Sequence, residues 1–142
     1  MSKWLFAAML LLQTHFAASF LVPLDSGAQR EFGGLLRWAW PWSEGDSGPL
    51  GQIPGEGVGL LFALFLAMAG GAGLVAAILA VFGIWVPQSW WRVLTIAGAL
   101  CTMLLFLLFP GFTKIIPLAF GAMLIWIAYS EWYVSASIAA GD

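Results

Sequence analysis

Charged side chains are scarce in this sequence. They make up 8% of its 142 residues, where a soluble domain carries about 25%. That excludes a globule whose whole surface faces water, because too little polar side chain exists to cover it. The cations are scattered as Lys3, Arg30, Arg37, Arg92 and Lys114, and the net charge is −2, which excludes a basic nucleic-acid footprint. The single cysteine, Cys101, excludes an internal disulfide. With one histidine, His15, beside that one cysteine, a zinc site is incomplete, and a haem lacks a second axial histidine. Paired carboxylates and a nucleophile–base set are also missing, so the sequence predicts no catalytic activity.

What is present in quantity is apolar. Hydrophobic residues are 62% of the chain, and a helix needs roughly 20 of them in a row to cross the hydrocarbon core of a bilayer. Four stretches have that character, over about 4–24, 58–86, 90–109 and 115–133. The sequence therefore predicts a single all-α domain, an integral membrane bundle of four transmembrane helices. The first stretch has a competing reading as a signal peptide, with Lys3 in front and small residues at Ala17, Ala18 and Ser19. Apolarity continuing through Phe20, Leu21 and Val22 favours a retained helix.

The joints support this count. Pro87-Gln88-Ser89 separates the second and third helices, and Pro110-Gly111-Phe112-Thr113 the third and fourth. Pro117 falls in the first turn of the fourth helix, where its missing N–H costs little. Both joints are short, so helices two, three and four should be antiparallel neighbours.

The first connection is long and holds five of the seven acids. Within it, Phe32, Leu35, Leu36, Ala39 and Trp40 follow helical spacing. This predicts a short interfacial amphipathic helix over about 26–40. An irregular Gly- and Pro-rich loop follows over 41–57. The cations divide evenly between the two sides, so the positive-inside rule leaves the orientation tied. The reading adopted is a bacterial cytoplasmic membrane with both termini cytoplasmic. The tryptophans near helix ends, Trp90 and Trp91 among them, would then form aromatic belts.

Three places invite a functional reading. His15 sits beside Gln13 and Thr14 near the middle of the first helix. An imidazole at membrane depth could meet a quinone, a pigment or a proton path. The plainer alternative is a histidine bonded to a neighbouring helix, to Ser19 or to Thr102. Ala69-Gly70-Gly71-Ala72-Gly73 lies midway along the second helix, with Ala63, Ala67 and Gly71 recurring every four residues. Such spacing lets helices approach closely, here through Ala67, Gly71 and Ala72. Alternatively, Gly70 and Gly71 could floor a groove for a lipid tail, quinone or pigment. Cys101 and Thr102 share a depth with His15, and structural roles are the simpler expectation for them.

The stretch from Leu60 to Tyr129, with its glycine-rich second helix and two tight hairpins, resembles the DoxX-like membrane proteins, which are small and four-helical. The resemblance implies a redox- or quinone-linked role. Members often carry an acidic residue just before the glycines, where this chain has Met68 and Ala69.

The function expected from these features is a non-catalytic accessory or structural subunit of a larger membrane complex. Respiratory or photosynthetic electron-transport assemblies are natural hosts. Its partners would be membrane lipids and other membrane protein subunits. The alternative is a quinone- or pigment-binding redox-linked protein using His15, Gly70, Gly71 and Thr102. A transporter or channel subunit fits less well, since mid-membrane polar groups are sparse.

Overall fold

A computed structural model describes residues 2–19, 56–108 and 114–130, with only the backbone path over 56–60. These described residues form four α-helices and no strand: α1 (Lys3–Ala18), α2 (Glu56–Phe82), α3 (Trp91–Leu108) and α4 (Ile115–Ser130). A 3-10 turn, Gln88–Trp90, leads into α3. Leu61–Phe82 and Gln88–Leu108 are long and apolar enough to cross a membrane; Ile115–Ser130 is apolar but shorter. The predicted surface helix over 26–40 lies outside the described residues. So does the predicted loop, except that Glu56 and Gly57 belong to α2.

Helix ends follow local chemistry. Ser2 caps α1, its hydroxyl accepting the Leu5 N–H at 3.3 Å. The second helix stops at Phe82 rather than at Val86. The cause is Gly83, whose φ of +66° is a left-handed conformation that glycine adopts without a Cβ clash. Gly83 N–H then bonds the Ala80 carbonyl and Ile84 N–H the Leu79 carbonyl, which is the Schellman pattern. The chain next makes a γ-turn. Val86 N–H bonds the Ile84 carbonyl at 2.7 Å across Trp85, whose φ is +59°. A bulky residue rarely holds that conformation.

The helices alternate in direction. Trp4 of α1 packs on Phe82 at the end of α2 (4.8 Å between ring centroids), and Phe6 meets Trp91 at the start of α3 edge to face. Arg92 Nε donates to the Ala128 carbonyl near the end of α4 at 3.1 Å. The start of α1, end of α2, start of α3 and end of α4 therefore share one end of the bundle. Along the bundle α2 packs on α3 and α3 on α4, as the short joints predict. The first helix lies chiefly against α2, with smaller contacts to α3 and α4.

Each helix turns a stripe of alternating four- and three-residue steps inward. These are Phe6, Leu10, Gln13 and Ala17 in α1; Ala63, Ala67, Gly70, Leu74, Ala77 and Val81 in α2; Trp91, Thr95, Gly98, Thr102 and Leu105 in α3; and Pro117, Gly121, Leu124 and Ala128 in α4. That 3.5-residue period is the one that keeps a seam facing its partner in left-handed helix packing. It corrects the expected contact through Gly71 and Ala72. A Cβ on Gly71 would meet nothing within 4 Å, and Ala72 is exposed. The close approach is made by Gly70 and Gly73 against Gly98 instead. A Cβ on Gly73 would stand 3.3 Å from Gly98 Cα, and one on Gly98 2.9 Å from the Leu74 backbone nitrogen.

Candidate functional site

Among the described residues, the Gln13 carboxamide is a polar group held in the interior. It lies on the inward stripe of α1 and is fully buried. Its Nε2 donates to Thr102 Oγ1 at 2.9 Å and to the Pro117 carbonyl at 3.2 Å. One side chain thus joins α1 to both α3 and α4. Pro117 fixes which way the amide faces, because exchanging Nε2 for Oε1 would set a carbonyl oxygen against a carbonyl oxygen. Gln13 Oε1 is buried with no hydrogen-bond partner, the sort of orphan that folded proteins seldom keep.

Small residues make room for this node. A Cβ on Gly121 would lie 2.7 Å from Met103 Cγ and 3.3 Å from Gln13 Nε2. A Cβ on Gly70 would lie 2.7 Å from Thr102 Cγ2. The Thr102 hydroxyl uses both capacities, accepting from Gln13 and donating to the Ala99 carbonyl at 2.9 Å.

The residues singled out by sequence are thus partly assembled. Gly70 and Thr102 meet. Gly71 turns away from Thr102, as its open surroundings show. His15 is not the residue that reaches Thr102; Gln13 is. Two residues along an α-helix rotate a side chain by about 200°, so only one of the pair can face inward here. His15 is half-buried and forms, with Ala8, Leu11, Leu12 and Thr14, a wide-mouthed depression of about 500 Å³. The anticipated Ser19 partnership takes another form: Ser19 N–H bonds the His15 carbonyl at 2.9 Å, while its hydroxyl donates to the Phe16 carbonyl at 2.7 Å. Cys101 is partly buried, beside the α2–α3 contact at Gly70.

The missed residue had a readable signal. Gln13 falls on the four–three–four series Phe6, Leu10, Gln13, Ala17, and Thr102 on the matching series of α3. Chemically the node ties helices together; its one unused capacity is an acceptor. Among the described residues no three His, Cys, Asp or Glu side chains gather to hold a metal ion. No family model, no curated protein and no solved structure matches this chain.

Proposed function

We propose that this chain is an integral membrane protein whose four helices all lie in the bilayer, acting as a non-catalytic subunit of a larger membrane assembly. The observation that carries the membrane reading is an inverted distribution of side chains. Leu61, Phe65 and Met68 of α2, Val93, Leu100 and Leu107 of α3, and Ile115 and Trp126 of α4 are exposed, while Gln13, Thr95 and Thr102 are fully buried. Soluble monomers rarely expose apolar faces of that extent; lipid tails accept them at no cost. The structural role is supported by how the polar groups are used. Gln13 bonds Thr102 and Pro117, Thr95 bonds Trp91 and Ser19 bonds Phe16. These interactions join helices or secure their own turns.

Two measurements test the proposal. Alkaline carbonate should leave the protein in the membrane pellet, and blue-native electrophoresis of a mild-detergent extract should place it in a band far heavier than the chain alone. Extraction into the supernatant would remove the membrane reading. Migration solely as a free small protein would remove the subunit reading.

A second reading rests on the depression beside His15. Its walls are Ala8, Leu11 and Leu12, with Thr14 and His15 as polar members. That combination suits a lipid-soluble molecule with one polar head, such as a quinone or pigment. Solvent extraction and an absorption spectrum of the purified protein decide the point; a colourless, quinone-free preparation sinks it.

A further inference from the structure

We infer that the turn between α2 and α3 is a membrane-interface anchor that presents the Trp85 indole to the phosphate-bearing headgroup layer of a bilayer. The inference rests on the membrane reading above and adds a site and a ligand class to it. Three observations converge. First, Trp85 is 94% exposed, so the protein itself scarcely touches the ring. Second, its backbone is held at a φ of +59° between the Schellman end of α2 and the γ-turn to Val86. A bulky residue in that region is unfavourable, and glycine would sit there without strain. An indole kept at such a position, pointing away from the core, is not explained by packing.

Third, the turn belongs to the end of the bundle where four helix termini meet. Trp4 and Trp90 are also exposed there, on α1 and on the 3-10 turn. Lys3 and Arg92 lie at the same end. Indole prefers the zone where an apolar ring meets hydrated headgroups, because its body is apolar and its N–H needs an acceptor. Phosphate supplies the acceptor, and its charge is opposite in sign to that of Lys3 and Arg92, which also have interactions within the protein. A protein partner would need its own complement to an isolated ring; a headgroup layer needs none.

The test uses full-length protein with fluorine-labelled tryptophan and methyl-labelled methionine, reconstituted in phospholipid nanodiscs. Trp85 is assigned by loss of its signal in Trp85→Phe, or by backbone connectivity to Val86. Three paramagnetic agents are compared: a nitroxide on the lipid headgroup, a nitroxide at the acyl-chain end, and a nickel chelate in the water. The expected result is loss of the Trp85 signal with the headgroup label and its survival with the chelate. Loss with the chelate alone places the turn in water and overturns the inference. Survival with all three agents shows it covered by protein and overturns it as well. Met68, exposed midway along α2, separates the two failures. Its signal should be lost with the chain-end label; if it survives, the membrane reading itself fails.

Discussion

Gln13 Nε2 and Thr102 Oγ1 stand 2.9 Å apart across the contact between α1 and α3. The same nitrogen also reaches the Pro117 carbonyl of α4. The first helix has only minor packing with α3 and α4, and this amide bonds it to both. Specific ties of this kind fix register more than they add stability.

Gln13→Leu should therefore melt within about 1 kcal/mol of the parent, since removing an unpaired buried acceptor offsets the lost bonds. Gln13→Ala also leaves a void and should cost about 1–3 kcal/mol. A double-mutant cycle with Thr102→Val should give a coupling of about 0.6 kcal/mol, and no more than about 2. The readout is unfolding in mixed micelles. A coupling of zero would mean that the amide does not engage Thr102.

Glycine substitutions in the second and third helices should split sharply. Gly98→Ala places a methyl group 2.9 Å from the backbone of α2 and should cost about 1–3 kcal/mol through overpacking. Gly71→Ala meets open space and should be neutral or stabilising by about 0.5–1 kcal/mol, because alanine loses less backbone entropy in a helix. Equal losses at both positions would contradict the stripe through Gly70 and Leu74.

Gly83→Ala should destabilise the α2–α3 hairpin by about 1–2 kcal/mol, the cost of a left-handed backbone with a Cβ. Gly83→Asn should lose less, as asparagine tolerates that conformation. Thermal denaturation of the two variants checks the order; an alanine variant as stable as the parent would rule out the left-handed cap.

Arg92→Ala should loosen the last turn of α4. Its guanidinium donates to the Ala128 carbonyl, and a cation at a helix C-terminus contributes about 0.3–1 kcal/mol. Amide exchange should quicken over 126–130 and stay unchanged in the middle of α3. Faster exchange throughout would point to a global role for this residue.

The number and order of the four helices among the described residues were legible because proline and glycine interrupt long apolar runs. Facing was much less so. In a soluble helix, polar residues mark the outside; here the outward stripe carries Leu61, Phe65 and Met68 and the inward one Ala63, Ala67 and Gly70. Both are apolar, and side-chain size is the only contrast. The run around Gly70–Gly73 supports two phases of small residues, and the four-residue spacing of Ala63, Ala67 and Gly71 selects the one that drifts off the contact. The eye also goes to His15 because it can ionise, although Gln13, two positions earlier, has the inward phase. The end of α2 was misplaced for a local reason: a single glycine stops a helix whose apolar run continues to Val86.

The amide node also sets a schedule for biosynthesis. The Pro117 carbonyl lies 104 residues further along the chain than Gln13, and ribosomes add about 5–20 residues per second. For about 5–20 s after Gln13 is added its carboxamide lacks the Pro117 acceptor, and for most of that time it lacks Thr102 as well, which follows 89 residues after Gln13. The hairpin of α2 and α3, by contrast, carries its own close-fitting glycines and is complete as soon as it is made. Assembly therefore has an order: the first helix can pack on α2 early, but its carboxamide has its full set of partners only when the last helix arrives.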